Sequence, residues 1–302
     1  MIVVVRIGHL STFYHASFVL MASTGVEREL GDTCEWTLFG TGPEMVRAFE
    51  KGELDVGYMG LPPAVIGISQ GVPIRCVAAG HVEGTVMVSR EPVGDDPLDE
   101  GDLERVLRSF SGRTIGTTTK GSIHDVILAH YLDKFDLAEA VNVEHYNQAE
   151  FIAMGLASGT IQAGVGTPAL LVFAKTLGPA HLAAPPSLLW PGNPSYGLFF
   201  HDSFSTGHLS VARVFAGQHA RAVQFIKEKP REAAERVASI VKVADAAFIE
   251  AVMRISPKYF SDITSEFVEA TMSFARELHA LGYVDRVPGA GEIFQDIGSR
   301  IA

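Results

Sequence analysis

The sequence predicts an α/β protein of two lobes, each a mostly parallel sheet flanked by helices, with extra C-terminal helices on lobe one. Three observations predict it. A unit of short apolar strand, glycine-rich or Ser/Thr-rich turn and helix recurs along the chain, which is the pattern that builds parallel sheets. The 302 residues pass the length, about 250–300 residues, at which one hydrophobic core ordinarily stops growing. From Leu209 onward the pattern is helical.

Val3 to Ile7 is a continuous apolar run, the signature of a central strand. Gly8-His9-Leu10-Ser11-Thr12 turns the chain, and Phe13, Ser17, Leu20, Met21 and Leu30 then recur at helical spacings up to Gly31-Asp32. Ser11 or Thr12 is the expected N-cap. Cys34 to Phe39 is the second strand, and Gly40-Thr41-Gly42-Pro43 opens a helix to Lys51 with Pro43 expected at its first position. Asp55 to Met59 is a third strand, followed by a Gly60-Leu61-Pro62-Pro63 turn and a helix stopped at Gly71. That turn is expected to present free backbone N–H groups at a helix start. Ile74 to Ala79 and Thr85 to Ser89 are further strands.

The acidic, proline-bearing stretch Arg90 to Pro97 marks the crossing into a second lobe. There the unit repeats: strand Thr114–Thr117, turn Thr118-Thr119-Lys120-Gly121-Ser122, helix Ile123–Phe135; strand Val141–Tyr146, turn Asn147-Gln148, helix Ala149–Ala157; strand Gln162–Gly166, helix Pro168–Leu177. The prolines among residues 179–194 exclude a regular helix. Tyr196 to Phe200 returns as a strand to the first lobe. Helices follow over Leu209–Lys229, Arg231–Val243, Asp245–Ile255 and Ser265–Leu281, with Phe225, Ile226, Val237, Ile240, Val241, Phe248, Ile249 and Val252 spaced for one buried face. Lobe one therefore comprises 1–89 and 196–302, and lobe two 90–195, with a cleft expected between them.

Lys plus Arg number 24 against 35 Asp plus Glu, a formal charge of −11, with no basic run. Nucleic acid is excluded as a partner, because phosphate contacts need clustered cations. No stretch of eighteen apolar residues predicts a membrane span. The first residues read at once as a strand rather than as a leader. Cys34 and Cys76 lack Cys-x-x-Cys spacing and read as free thiols. The eleven histidines show no metal-ligand spacing, so neither metal nor cofactor is expected.

Arg6-Ile7-Gly8-His9-Leu10-Ser11-Thr12-Phe13-Tyr14-His15-Ala16, Lys51-Gly52-Glu53-Leu54-Asp55-Val56-Gly57 with Gly60, and Gly71-Val72-Pro73-Ile74-Arg75 before a Val-Ala strand resemble the substrate-binding proteins of ABC importers in the nitrate/sulfonate/taurine group. The likeness is carried by the first ninety residues; the second lobe shares it in layout. It implies the type II periplasmic-binding fold and a small, anionic or polar ligand delivered to an ABC permease. The binding protein would be a monomer, periplasmic or extracellular if a leader has been removed and cytoplasmic otherwise. By position it implies ligand contacts from Ser11, Thr12, His15, Thr41, Gly42, Gly60 and Leu61, and from Thr118, Thr119, Gly121, Ser122, Asn147, Gln148 and Thr167 in the other lobe.

Tyr14, Tyr58 and Tyr196 lie beside these turns and can wall the apolar part of a ligand. The Thr117 to Ser122 run has the composition of an anion nest but lacks P-loop spacing. The same fold also carries menaquinone-pathway enzymes acting on chorismate- or futalosine-derived substrates, in which His15 or a cleft hydroxyl would move a proton. The related thiamine-pyrimidine synthase needs a cysteine-rich motif that this chain lacks. A module that senses a ligand for another protein is the third reading.

Overall fold

The computed structural model describes residues 4–23, 25–30, 33–93, 102–255 and 258–298. The chain divides into two compact units, Met1–Val82 with Pro194–Ala302, and Glu83–Asn193. The sequence places the crossings at residues 90 and 196; the structure places them at 83 and 194. The reason is β5 (Val86–Ser89), which pairs with second-unit strands β8 (Ala163–Gly166) and β9 (His181–Ala184) instead of joining the first sheet. Much of the acidic crossing segment, residues 94–97, lies outside the described residues, as do Val3 and Gly31-Asp32.

The first unit holds a six-stranded sheet in the order β11 (Lys258–Tyr259), β4 (Ile74–Val82), β10 (Tyr196–His201), β3 (Val56–Met59), β1 (Val4–His9), β2 (Thr33–Leu38). β1 runs parallel to β2 and β3, and β10 lies antiparallel between β3 and β4. β3 is buried throughout, as its unbroken apolar run requires. β2 is the edge strand, so Cys34 is only partly buried, whereas Cys76 on β4 is buried; neither forms a disulfide with a described residue.

Four local expectations fail, and one strand, β9, stands where the sequence reading excluded only helix. The long first helix is two short ones, α1 (Ala16–Met21) and α2 (Gly25–Leu30). Its N-cap is His15, not Ser11 or Thr12, because the chain makes one more turn, closed by the His15 N–H donating to Thr12 O. In α3 (Gly42–Glu50) the capping Thr41 puts Gly42 first and Pro43 second. β9 occupies part of the proline-rich segment, which the prolines bar from helix but not from pairing with β5. β11 interrupts the helical last third by pairing with β4.

The other helices stand close to their expected places: α4 (Leu61–Ser69), α10 (Leu209–Glu228), α11 (Pro230–Val241), α12 (Ala246–Ile255) and α13 (Ser265–Ala280). α10 buries Ala212, Phe215, Ala216, His219, Ala222, Val223 and Ile226, the three- and four-residue spacing of one face. Ile226, Val237, Ile249 and Val252 are buried as expected, but Ile240 is exposed. The short helices α5 (Asp102–Arg108), α9 (Asp202–Gly207) and α14 (Ala290–Ile293) have no counterpart in the sequence reading.

The second unit has a five-stranded sheet ordered β7 (Asn142–Tyr146), β6 (Thr114–Thr118), β8, β5, β9. β6 is parallel to β7 and β8, whereas β5 is antiparallel to β8 and β9. Its helices α6 (Ile123–Lys134), α7 (Ala149–Ser158) and α8 (Pro168–Leu177) follow β6, β7 and β8 in turn.

Arg6 on β1 ties down the entry to β3. Its Nε and Nη2 donate to the two oxygens of Asp55 at 3.0 and 2.6 Å, and its Nη1 donates to Gly52 O at 2.6 Å. The Arg6 backbone N–H adds a fourth bond, to Asp55 Oδ2. Asp55 is 16 % exposed and Arg6 42 %, so solvent discounts part of this fork. Replacing Asp55 by Asn should destabilise the protein by about 1–2 kcal/mol in urea titrations, and the loss should shrink in high salt.

Candidate functional site

Because β1, β2, β3 and β4 share one direction, their carboxyl ends line one edge of the first sheet, where antiparallel β10 begins. Four buried rings meet there. His15 lies against Tyr196 with centroids 3.6 Å apart, His81 stacks on Tyr196 at 5.2 Å, and Tyr14 meets His15 edge-on at 4.7 Å. Tyr259 Oη donates to Tyr14 O at 2.8 Å. Gly80 permits the arrangement, since a Cβ there would fall 2.0 Å from Tyr196 Cδ1. Tyr58 continues the stack inward from Tyr196 to Trp36.

Burial holds two hydrogen-bonding groups of this cluster, His15 and Tyr196, in their neutral forms. His15 Nδ1 and Thr12 Oγ1 share a bond of 2.5 Å. Burial drives the His15 imidazole well below its ordinary value, and His81 and His9 add to the shift. His15 is therefore a neutral donor or acceptor at neutral pH rather than a cation or a free base. Burial likewise raises the Tyr196 phenol, which faces Ser17.

At this edge the start of α3 is occupied by the chain itself and that of α4 is short of donors, whereas α1 begins at His15 with no side-chain cap. At α3, Thr41 Oγ1 accepts from the Glu44 N–H, while the Glu44 carboxylate accepts from the Gly40 and Thr41 N–H groups. At α4, Gly60 is the cap and Leu61 is the first residue, but Pro62 and Pro63 bring no N–H. The donor-rich Gly-Leu-Pro-Pro turn expected from the sequence is thus donor-poor. The Leu61 side chain is buried as core.

In the second unit Ser122 caps α6 by accepting from the Asp125 N–H. The Asp125 side chain, 5 % exposed, accepts from the Gly121 N–H at 2.8 Å and pairs with His145 Nε2 at 2.7 Å. Gly121 takes a φ of +80°, which aims its N–H back at that carboxylate. Thr118 and Ser122 share a hydroxyl bond of 2.6 Å. The expected anion nest therefore already holds a negative charge, and its Gly121 amide is spent. Two hydroxyls stand apart: Thr117 Oγ1 and Thr119 Oγ1 are buried without a hydrogen-bond partner. At α8, Thr167 is the cap and Pro168 follows. Asn147 and Gln148, before α7, are exposed, as is Ser11 in the first unit.

Among the expected contacts, the structure gathers Thr12, Tyr14 and His15 in the first unit and Thr118, Thr119, Gly121 and Ser122 in the second. Sequence reasoning missed His81, Tyr259, Asp125 and His145. Asp125 alone had a local signal, a Ser-x-x-Asp start to a helix. A cavity of about 310 Å³ lies at the other end of β6 and β8, lined by Ser89, Arg90, Glu91, Phe110, Arg113 and Gln162 among others, and by none of the expected contacts. Among the described residues no group of three or more His, Cys, Asp or Glu could hold a metal ion, and no helix is long and apolar enough to cross a membrane.

Residues 3–242 match the profile of the NMT1-like family. The alkanesulfonate-binding protein SsuA of Xanthomonas axonopodis pv. citri, solved with bound MOPS, is similar in structure: TM-score 0.78 at 15 % identity, covering 96 % of this chain and 98 % of that one. The periplasmic aliphatic sulphonate binding protein SsuA of Escherichia coli gives 0.79 at 14 %, over 97 % and 92 %. The periplasmic nitrate-binding protein NrtA of Synechocystis gives 0.75 at 11 %, over 97 % and 86 %. In sequence, 57 residues are 35 % identical to the taurine-binding periplasmic protein of Escherichia coli, a match spanning 19 % of this chain and 18 % of that protein.

Two further buried histidines, His124 and His219, add to the acid sensitivity of the fold. Burial lowers His124, bonded to Thr85 Oγ1, and His219, bonded to Ala79 O, each to about 4. The folded protein keeps both neutral while the unfolded chain protonates them near 6.5, so their contribution is whole above 6.5 and is lost as pH falls towards 4. Urea titrations should show stability dropping by about 2–3 kcal/mol per histidine over that range. His124→Gln, which cannot titrate, should remove its share of the slope.

Proposed function

The chain belongs to the NMT1-like family, and on that premise we propose that it is a solute-binding protein that captures a small polar molecule and hands it to an ABC-type importer. The structural likeness to sulfonate- and nitrate-binding proteins supports this reading. The observation that carries it to particular residues is the pair of buried, unpartnered hydroxyls on Thr117 and Thr119. A buried hydroxyl left unbonded costs about 1–3 kcal/mol, a cost that a hydrogen-bonding solute would offset. In the first unit the proposed contacts are Thr12, Tyr14, His15 and Thr41. In the second they are Thr118, Thr119, Ser122, Asn147, Gln148 and Thr167. The permease would be an integral-membrane partner, and the site of action would be outside the cytoplasmic membrane.

The enzymatic reading finds less support. His15 is packed on Tyr196 and bonded to a hydroxyl, and burial holds it neutral. A general base of this kind works best when its pKa lies near the working pH.

Native mass spectrometry of the purified protein should reveal a noncovalently held small molecule, and a protein that never carries one counts against capture. Thr119→Val should weaken that solute's binding by about tenfold while leaving the melting temperature of the solute-free protein unchanged or higher. A purely structural threonine would give neither effect.

A further inference from the structure

In the second unit a nearly buried carboxylate decides which nitrogen of a neighbouring imidazole is left without a proton. We propose that His145 is a solute-contacting, specificity-determining residue, that Asp125 is the positioning residue behind it, and that the solute carries an N–H or O–H donor. The inference rests on the binding-protein reading above and adds to it a residue and a ligand chemistry.

The tautomer of the ring follows from its partner. His145 Nε2 lies 2.7 Å from Asp125 Oδ1, and the Asp125 side chain is 5 % exposed. A carboxylate only accepts hydrogen bonds, so Nε2 carries the ring proton. In the neutral imidazole Nδ1 is then a bare acceptor. No described residue bonds to Nδ1, and the His145 side chain is 38 % exposed. Asp125 is itself fixed, because its Oδ2 accepts from the Gly121 N–H at 2.8 Å.

The acceptor stands where α/β sheets bind ligands, outside the carboxyl ends of the strands. His145 is near the end of β7, in direct register with Thr117 on β6. Paired residues on parallel strands send their side chains to one face. The imidazole and the Thr117 side chain therefore share the face that the start of α6 covers, since Asp125 reaches His145 there. Thr117 Oγ1 and Thr119 Oγ1 are buried without a hydrogen-bond partner, an independent sign that this edge suits a hydrogen-bonding ligand. Hydroxyls donate or accept as required, whereas this Nδ1 only accepts. The imidazole thus adds a constraint that the threonines do not: the group opposite it must bring a hydrogen.

Nitrogen NMR of protein with isotope-labelled histidine, above the imidazole titration range, reads the tautomer directly. His145 should be protonated at Nε2. Asp125→Asn should reverse this, because the Gly121 N–H claims the amide oxygen and the NH2 group then faces Nε2, driving the ring proton to Nδ1. A wild-type ring protonated at Nδ1, or no reversal in the variant, overturns the proposal.

Two side-chain mimics separate contact from packing. His145→Gln can still donate to Asp125 but brings no acceptor to the place of Nδ1, and His145→Asn does the converse. The share of purified protein carrying its copurified solute in native mass spectra should fall about tenfold in His145→Gln and less in His145→Asn. The melting temperature should fall further in His145→Asn. A pair with a packing role alone would lose occupancy and stability in the same order, and that outcome overturns the proposal. So does a copurified solute, identified by mass, that has no N–H or O–H, although it leaves the capture function intact. A protein that never carries a solute sinks the capture reading and the proposed contact with it.

Discussion

The first unit depends on one insertion. β10 enters between β3 and β4, antiparallel to both, and pairs Gly197 with Met59 on one side and Tyr196 with His81 on the other. Without it β4 and β11 would have no strand pairing to β3, β1 and β2, since no other described strand bridges them. The same register sets Tyr196 at the carboxyl edge, over Gly80 and against His15. The backbone pairing that holds the sheet together and the ring cluster that faces its edge are therefore one arrangement.

Much of the architecture was legible because buried parallel strands are unbroken apolar runs bounded by glycine, proline and hydroxyl residues. Val56 to Met59, Ile123 to Lys134 and Pro168 to Leu177 fall close to where periodicity and turn chemistry put them. What misled was sequence whose partner is remote. Val86 to Ser89 reads like any apolar strand, and only its pairing with Ala163–Gly166 assigns it to the second unit. Lys258–Tyr259 is too short to announce itself and becomes a strand because β4 offers an edge. His181–Ala184 was hidden by flanking prolines, which forbid helix yet leave a short strand possible.

The candidate site was legible in position and obscured in charge. Turns after strands could be found from glycine and hydroxyl spacing, and Thr12, His15, Thr118 and Thr119 all lie in them. Whether a turn offers free donors depends on which side chain folds back on it. Glu44 and Asp125 each stand in the first turn of a helix, where acids are common and stabilising. Their capture of Gly40, Thr41 and Gly121 N–H groups emerges only in three dimensions. His81 was invisible for a related reason: it ends an apolar strand, and its packing on Tyr196 joins residues far apart in the chain.

The split of the first unit around the second also orders events during synthesis. When the ribosome has delivered residues 1–82, the sheet they belong to still lacks β10, which is translated only after all of Glu83–Asn193. The second unit, encoded without interruption, can collapse as soon as it clears the exit tunnel, whereas β3 and β4 must wait with unpaired edges. Those waiting edges, rather than any exposed strand of the mature protein, are where a holding chaperone would find its substrate.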